Sequence, residues 1–449
     1  MRKFLTAAMA IVLAFGFTGC GNNGGTSEPS TDEIVIDKNY EGSLSITYVS
    51  GDVGEYVLLS TLVDAFKQEY PNINVKLGAF TATEYLKGVS QMAAAGTIGD
   101  VFFSNDELVG LVAQKNYMQD LTDYLEAYNF DASLYDSNMM SLGKVYGKQY
   151  FLPRDYSQVV ISVNKTLWDE VAANVDIEYP SNDWTLEDWY EIAEKAQPYL
   201  SANPVAGMNR YVGGPSYGWL PVMNAFVSSY GGQILNENGE LALQDSDEAV
   251  FAKIKDFVDI KADPTSGDAS FTYGNVLFAT TTRTHYSKYS KIPTVDGSKY
   301  VDIDYLPYPK CGTEDRPYIP CGTSGYGMFS KSKHKKEAMA FLTFMMSDKG
   351  QEALIASGNA IPVANKYLDN YNEYEQLKLV HNGKELNVSA FVSNRDKVVL
   401  NDVVLRLKDY SYSTDFSAAM NSFGTDYAKN GTSWSTCIKD LRKKMEAFK

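Results

Sequence analysis

One motif in the sequence is typical of nucleophilic catalysis. Residues 214–218, GPSYG, match the G-x-S-x-G pattern of the nucleophile elbow, in which Ser216 would attack an acyl carbon with His285 or His381 as its base. The elbow needs an apolar strand that leads directly into a helix, but NRYVGG precedes Ser216 and Pro215 constrains the turn. We therefore keep a serine hydrolase as an alternative and expect that the protein is not an enzyme.

Other catalytic and metal-binding patterns do not occur. The sequence has no H-E-x-x-H, G-x-x-x-x-G-K-[ST] or C-x-x-C motif, and its three histidines are scattered. Cys311 and Cys321 bracket a loop that contains proline and could pair, which would leave Cys437 over. No cysteine has zinc-site spacing, so we expect neither a metal nor a cofactor. A glycosidase with two carboxylates is a further alternative, because the many Asp and Glu residues leave the pairing open.

The N-terminal segment has the pattern of a bacterial export signal. After a basic start, residues 4–18 are apolar, but they fall short of the roughly 20 residues that a membrane-spanning helix needs. The stretch ends in FTGC, which resembles a lipobox and places Cys20 at the processing site. We predict a signal peptide at 1–19 and a lipidated, palmitate-bearing Cys20 followed by a flexible linker up to residue 40. This pattern predicts a lipoprotein anchored at the extracytoplasmic face of the cell membrane.

The charge of the chain excludes one class of partner. The chain of 449 residues has 56 Asp and Glu against 40 Lys and Arg, a formal net charge of −16. Nucleic-acid binding needs clustered basic residues, so we expect no nucleic-acid partner. An acidic body also has no attraction to an anionic membrane surface beyond its lipid anchor.

The elements after the linker alternate between strands and helices. Residues 43–50 alternate apolar and polar side chains as a strand does, and apolar residues recur at helical spacing from 58 to 66. A strand at 73–80, a helix at 81–96 and a strand at 100–104 follow. This order predicts a parallel sheet with crossover helices, whose ligands bind outside the carboxyl ends of the strands.

A second region begins near residue 158 and repeats this mixture of elements. We predict a strand at 157–165, a helix at 184–196, strands at 302–309 and 325–330, and a helix at 337–346. We predict that the C-terminal part of the chain is mainly helical.

Six segments, in this order, resemble the extracellular solute-binding protein family of ABC importers, which includes maltose-binding proteins. They are YVSGDVGE, AFKQEYPNINV, MAAAGTIGDVFFSND, GKQYFLPRDYSQVVISVNKTLW, DWTLEDWYEIAEKA and YGMFSKSKHKKEAMAFLTFMMSDKGQEALIASGNAIPVANK. The resemblance implies an α/β, two-lobed periplasmic-binding-protein-like fold (type II), in which each lobe is a central sheet flanked by helices. It implies lobe 1 at 41–157 and 326–350, lobe 2 at 158–325 and 351–449, and crossings near 155–160, 318–326 and 347–357.

The same resemblance implies a sugar site between the lobes. Sugars need flat aromatic rings for their C–H faces and paired polar groups for their hydroxyls. The residues at matching positions are Asp52, Phe103, Asn105, Asp106, Arg154, Asp155, Tyr156, Ser157, Tyr217, Trp219, Arg283 and Tyr326. Where the maltose-binding relatives carry arginine after the Asp106 position, this chain has Glu107, so we expect a different sugar. Arg283 replaces a tryptophan and could grip a carboxylate, which would suit an acidic or substituted sugar.

The function that the resemblance implies is capture of a carbohydrate by hinge closure and its delivery to the permease subunits of an ABC transporter. We expect a monomer that binds its ligand without altering it. A sensor that presents sugar to a membrane kinase would use the same binding chemistry and stays an alternative.

Overall fold

The structure is a computed structural model that describes residues 34–50, 53–263, 270–294, 299–313 and 315–448. The predicted signal peptide, Cys20 and Asp52 lie outside these ranges, as does most of the predicted linker. Within the described ranges, no helix is both long enough and apolar enough to pass through a membrane.

Fifteen strands and fifteen helices form the described part of the chain. The strands are β1 (Gly42–Val49), β2 (Ile73–Phe80), β3 (Val101–Asn105), β4 (Lys144–Val145), β5 (Lys148–Gln149), β6 (Phe151–Pro153), β7 (Ser157–Gln158), β8 (Val160–Asn164), β9 (Phe278–Thr281), β10 (Ile303–Pro307), β11 (Ile319–Gly322), β12 (Ser324–Met328), β13 (Val380–His381), β14 (Lys384–Glu385) and β15 (Val398–Leu400). The helices are α1 (Val53–Glu69), α2 (Ala82–Ala95), α3 (Val109–Gln114), α4 (Thr122–Ala127), α5 (Ser137–Leu142), α6 (Lys165–Ala172), α7 (Leu186–Ala202), α8 (Leu220–Ser229), α9 (Glu248–Asp259), α10 (Tyr286–Tyr289), α11 (Lys335–Met346), α12 (Asp348–Ala356), α13 (Asn365–Leu368), α14 (Ser413–Ala428) and α15 (Trp434–Glu446).

The first lobe is built on a five-stranded sheet in the order β2-β1-β3-β12-β6. The predicted parallel pairing is confirmed for β1 with β2 and β3, while β12 runs antiparallel to β3 and β6. Helices α1, α11 and α12 pack together beside this sheet. Phe66 of α1 is fully buried, with its ring 5.4 Å from that of Phe341 on α11. The apolar stripe read from the sequence therefore forms the helix layer of this lobe.

The second lobe is built on a three-stranded antiparallel sheet in the order β10-β8-β9. Its core contains Trp184, Trp189 and Phe278, and the ring of Trp189 lies 5.8 Å from that of Phe278. Helix α7 begins at Leu186, two residues after the predicted start, because Thr185 accepts a hydrogen bond from the backbone of Asp188 and completes a capping box.

Three short strands join the two lobes, and we call β7, β11 and β15 the connecting strands. β11 lies in the middle, antiparallel to β7 and parallel to β15. The predicted crossings at 155–160 and 318–326 contain β7 and β11, whereas 347–357 is largely helix α12, packed against α1. The third connecting strand, β15, has only three residues, which are too few for an alternating sequence pattern to predict it. The exact division of the chain into lobes stays a prediction.

Two smaller predictions differ from the structure. Between α13 and α14 the chain forms mostly single 3-10 turns and short strands, so the C-terminal part is less helical than expected. The thiols of Cys311, Cys321 and Cys437 are all buried and free. Cys311 instead lies 3.5 Å from the hydroxyl of Ser229, so the pairing that the sequence allows is not formed.

Candidate functional site

Four of the predicted site residues converge where β3 ends beside the connecting strands. In the sheet, Phe103 of β3 is the register partner of Tyr326 of β12, and their rings lie 6.3 Å apart. The guanidinium of Arg154 lies 5.9 Å over the ring of Phe103. Asp155 follows Arg154 and is buried beside it. The carboxyl end of the sheet therefore presents one half-buried aromatic ring backed by charged groups.

Arg154 is held by protein carboxylates on two sides. Its Nη2 donates to Oε1 of Glu55 on α1 at 2.7 Å, and its Nε donates to Oδ1 of Asp155 at 3.2 Å. Burial raises the pKa of Asp155 to about 6, against the opposing effect of Arg154. The guanidinium is almost completely buried, so it acts here as a buried ion-pair centre.

Asp106 points from the end of β3 toward the connecting strands. Its backbone N–H donates to the carbonyl of Thr323 at 3.2 Å. A Cβ added to Gly322 would lie 2.5 Å from Oδ2 of Asp106, so this carboxyl sits directly against β11. Burial, and then the neighbouring Glu107, raise the pKa of Asp106 well above its ordinary value, and a hydrogen bond with the Asn401 side chain opposes that rise. Oδ2 has no hydrogen-bond partner among the described residues.

Tyr156 and Ser157 lie at the start of the connecting strands. The buried Tyr156 hydroxyl donates to Oε1 of Gln158 at 3.0 Å. Ser157 is the register partner of Gly322 in the pairing of β7 with β11. Asn105 uses its side-chain oxygen to accept a hydrogen bond from the backbone of Leu108 at 3.0 Å. In this conformation these polar groups mainly stabilise the region where the first sheet meets the connecting strands.

Trp219 lies on the second lobe and is the more exposed of the two predicted stacking aromatics. It is the residue before α8, and 37% of its surface is exposed. Residues 214–219, together with Asp263, Asn421 and Thr425, line a cavity of about 480 Å³. An indole at the mouth of a polar cavity has the geometry for stacking on an apolar ring face.

Tyr217 is less available than Trp219. Its ring is half-buried, and Nζ of Lys429 lies 5.0 Å from the ring centroid. The backbone around it is packed against α14, because a Cβ on Gly424 would lie 1.8 Å from the carbonyl oxygen of Tyr217.

A chain of contacts links the Trp219 loop with the end of β3. On α14, Ser417 donates to Oε2 of Glu107 at 3.1 Å, and Asn421, one turn later, donates to the carbonyl of Gly218 at 2.8 Å. Helix α8, which begins next to Trp219, packs on β11 and β15. Its Asn224 donates to the carbonyl of Leu400 at 3.1 Å. In this conformation, helices α8 and α14 therefore link the Trp219 loop to the end of β3 and to the connecting strands.

Arg283 lies elsewhere and uses its donors within the protein. Its Nε donates to the carbonyl of Gly358 at 2.9 Å, and Nη1 donates to the hydroxyl of Tyr371 at 2.9 Å. Nη2 donates to the carbonyl of Leu377 at 3.4 Å. Only 2% of the residue is exposed. The structure does not bring Arg283 together with the other predicted residues.

Several residues of this arrangement were missed in the sequence. Glu55 and Asn401 carry no local signal, since their importance comes from packing across the junction. Ser417, Asn421 and Thr425 recur every four residues on one face of α14, so their spacing could have indicated a polar stripe facing the site.

The serine motif does not have the geometry of a nucleophile elbow. Ser216 lies in a loop before α8, and no strand leads into it. Nε2 of His381 donates to the carbonyl of Val301 at 2.8 Å, and the ring of His285 stacks on that of Tyr289. Both contacts are with residues outside the Ser216 loop.

A second cavity, of about 580 Å³, lies away from these residues. It is lined by side chains near the far end of β8 and the start of α6, among them Asn164, Leu167, Met208 and Arg210. Because β8 runs from the connecting strands toward this end, the cavity is on the far side of the second lobe.

The sequence matches one known family over most of its length. Residues 51–352 match the family described as bacterial extracellular solute-binding protein.

Solved structures with this fold include proteins that bind different ligands. An ABC substrate-binding protein from Listeria monocytogenes, in complex with cycloalternan, is 22% identical, with a TM-score of 0.73 over 91% of this chain and 98% of that one. The maltose-bound MalE3 of T. maritima is 17% identical, with a TM-score of 0.69 over 91% of this chain and 100% of that one. UgpB from Mycobacterium tuberculosis, in complex with glycerophosphocholine, is 17% identical, with a TM-score of 0.69 over 90% and 98%. At these identities the likeness shows the fold and leaves the ligand open.

Proposed function

Because the chain belongs to the bacterial extracellular solute-binding protein family, we propose that it captures a carbohydrate between its two lobes and delivers it to ABC-transporter permease subunits. The observation that carries the carbohydrate assignment is the exposed indole of Trp219 at the mouth of a polar cavity. Phe103 and Asp106, on the other lobe, supply a second ring and a carboxyl at the end of β3. Rings paired with planar polar groups suit a molecule with apolar faces and a hydroxyl rim.

The capture step is a hinge closure. Ligand contacts that exist only when both lobes approach shift the population toward the closed form. The connecting strands are the segments that absorb this motion, and Asp52, Asn105, Tyr156, Ser157, Tyr217 and Tyr326 are proposed as further ligand-side residues with Arg154 and Asp155 behind them. The protein works as a monomer and returns its ligand chemically unchanged.

A thermal-shift screen of the purified chain against mono- and oligosaccharides tests this function. A ligand that binds only the folded form raises the melting temperature by mass action. We expect at least one neutral carbohydrate to do so, and glycerophosphocholine to leave the temperature unchanged. A shift produced by glycerophosphocholine and by no carbohydrate would contradict the proposal.

We further propose that Cys20 carries the membrane anchor. The support is the position of this cysteine at the end of a basic-then-apolar segment. Stable anchoring requires two or more acyl chains. Labelled palmitate should enter the wild-type protein and not Cys20→Ser, and the variant should leave the membrane fraction. Equal labelling of both proteins would contradict lipidation at this residue.

A further inference from the structure

A run of basic residues lies at the end of the first lobe that is remote from the candidate site. Residues 330–336, SKSKHKK, hold four lysines and a histidine without a carboxylate, in a chain with a net charge of −16. They form the turn between β12 and α11. Because β12 is antiparallel to β3, this turn lies beside the start of β3, where Ser332 donates to Oδ1 of Asp100 at 2.7 Å. The candidate site lies at the opposite, carboxyl end of β3.

The lysines of this turn point outward, whereas the nearest carboxylates point inward. Three exposed lysines, which we call the basic turn, have no ion-pair partner within the described ranges: Lys331, Lys333 and Lys336. The fourth, Lys335, donates to Oε1 of Gln119 at 2.8 Å. Glu337 is only 4% exposed and accepts a hydrogen bond from Nδ1 of His334 at 3.1 Å. Asp100 accepts hydrogen bonds from two serine hydroxyls, so neither carboxylate neutralises the outer surface of the turn.

The N-terminal segment joins the body next to the basic turn. Ile34 and Ile36 are buried in the core, and the hydroxyl of Tyr128 donates to the carbonyl of Ile34 at 3.5 Å. Further along, a Cβ added to Gly42 would lie 2.6 Å from Oε1 of Glu337, so the chain passes directly beside the start of α11. The part of the predicted linker from Ile34 onward therefore belongs to the folded body and fixes where the preceding chain emerges.

Two further lysines extend the basic surface on the other side of this segment. Lys38 and Lys349 both pair with Glu69, and their side chains are 68% and 64% exposed. Within residues 37–42, 67–70, 330–337 and 348–349, the exposed lysines outnumber the exposed carboxylates by six to three. The lysines are Lys38, Lys67, Lys331, Lys333, Lys336 and Lys349, and the carboxylates are Asp37, Glu41 and Asp348. This end of an acidic protein is therefore locally basic.

The proposed anchor holds a lipid surface within reach of these lysines. Cys20 lies fourteen residues before Ile34, and a chain of that length spans at most about 50 Å. Lysines near an anionic lipid surface are attracted to it over a distance of roughly the Debye length. A few exposed lysines bind such a surface weakly on their own, but a tether raises the effective concentration of the lipid. Such a contact can orient an anchored protein without being able to retain an unanchored one.

We propose that the basic turn contacts anionic lipid headgroups and orients the anchored protein with its ligand-binding end away from the membrane. This inference rests on the proposed lipid anchor at Cys20. It refines the expectation from net charge, because the body is acidic as a whole but basic where the tether emerges. The eight residues of β1 separate the two ends of the sheet by about 25 Å. The candidate site then faces the medium from which the ligand arrives, and the contact is released when the ligand is delivered to a permease.

Lysine labelling of the full-length, acylated protein on vesicles tests this orientation. One set of vesicles contains phosphatidylcholine alone, and the other contains about 30% phosphatidylglycerol, which supplies the anionic surface. Acetylation of the basic turn, quantified by mass spectrometry, should be at least threefold slower on the anionic vesicles. Lys195, exposed on α7 of the second lobe, should react equally on both. Salt at about 1 M, where the Debye length falls to about 3 Å, should remove the difference.

A charge-matched pair of variants separates the basic turn from net charge. The test variant carries Lys331→Gln, Lys333→Gln and Lys336→Gln, and the control carries Lys439→Gln, Lys443→Gln and Lys444→Gln on α15. Both lose three exposed positive charges, so both should keep the wild-type melting temperature and sugar affinity. The anionic vesicles should protect Lys38 and Lys349 from acetylation in the wild type and in the control. In the test variant this protection should be lost.

The outcomes distinguish the orientation from the anchor. Equal labelling of the basic turn on both kinds of vesicle, or equal protection of Lys195, overturns the proposed orientation and leaves the anchor standing. Protection in native membranes but not on phosphatidylglycerol vesicles would assign the basic turn to a protein partner and overturn the lipid contact. If the wild type takes up no labelled palmitate and is not retained on vesicles, the anchor fails, and the orientation that depends on it fails too.

Discussion

Arg154 of the first crossing and Glu55 of α1 form a buried ion pair, with Nη2 of Arg154 2.7 Å from Oε1 of Glu55. The pair joins the first helix of one lobe to the segment that leads into the other lobe. It also positions the guanidinium over the ring of Phe103, so one contact supports both the junction and the candidate site.

Removal of the Glu55 charge should destabilise the protein. Glu55→Gln leaves Arg154 buried with Asp155 as its remaining anionic neighbour, and we expect a loss of about 3 kcal/mol in the free energy of unfolding, as for other broken buried pairs. Urea denaturation measures this loss. The control is Glu187→Gln, which breaks an exposed pair with Lys253 and should cost under about 0.5 kcal/mol. Equal losses in the two variants would show that the buried pair contributes little.

Truncation of Trp219 should weaken ligand binding without unfolding the protein. Its ring is partly exposed, and central aromatic anchors contribute about 1 to 3 kcal/mol to binding. Calorimetric titration of Trp219→Ala should show this loss, while Tyr300→Ala, an exposed aromatic on the second lobe outside the cavity, should bind as the wild type does. Unchanged affinity in Trp219→Ala would remove this residue from the site.

The carboxyl of Asp155 should make stability depend on pH. Burial raises its folded-state pKa to about 6, whereas the unfolded value is about 3.9. Between these values the folded protein holds a proton that the unfolded chain has lost, so this residue's contribution to the free energy of unfolding falls as the pH rises through that window and levels off above it.

The comparison of wild type with Asp155→Asn isolates this contribution. From pH 4 to pH 7, we expect the free energy of unfolding of the wild type to fall by about 1 to 3 kcal/mol relative to that of Asp155→Asn. Denaturant titrations at several pH values measure it, and parallel curves for the two proteins would contradict a raised pKa.

A methyl group on Gly322 should disturb Asp106. The added Cβ would lie 2.5 Å from Oδ2, so we expect Gly322→Ala to cost about 1 to 3 kcal/mol of stability and to weaken ligand binding at least tenfold. Gly78→Ala is the matched control in a strand, because its Cβ would meet nothing nearer than 3.8 Å. Chemical denaturation and calorimetry measure both effects. Equal stability and equal ligand affinity of the two variants would show that neither folding nor binding depends on the space between Gly322 and Asp106.

Substitution of Arg283 distinguishes a ligand contact from a structural one. Arg283→Leu removes hydrogen bonds to Gly358 and Tyr371, and hydrogen bonds of charged groups contribute about 1.5 to 3 kcal/mol each. We expect a lower melting temperature and unchanged affinity in the folded fraction. A tenfold loss of affinity with normal melting would return Arg283 to the ligand site that the sequence predicts.

The sequence predicts best what is decided locally. The alternation in residues 43–50, the apolar stripe of α1 and the helix predicted at 184–196 each depend on neighbours a few residues away, and all three elements are found. The family resemblance placed Phe103, Asp106 and Trp219 at the ends of elements that face the junction.

What the sequence could not predict depends on packing between distant segments. Asn401 follows a three-residue strand that exists only because β11 lies beside it, and nothing near it in the chain indicates full burial. Arg283 donates hydrogen bonds to the carbonyl of Gly358 and to the hydroxyl of Tyr371, which are more than 70 residues away in the sequence. The sequence shows that Arg283 is charged, but it does not show which groups its guanidinium hydrogen-bonds.

Isothermal titration calorimetry of the full-length protein, with recovery of the ligand afterwards, distinguishes capture of an unaltered sugar from catalysis. With a neutral sugar selected by thermal shift, we expect saturable heat at one ligand per chain and a ligand that is recovered intact. Continuing heat with a cleaved or modified sugar, or no saturable heat with any carbohydrate, would contradict it.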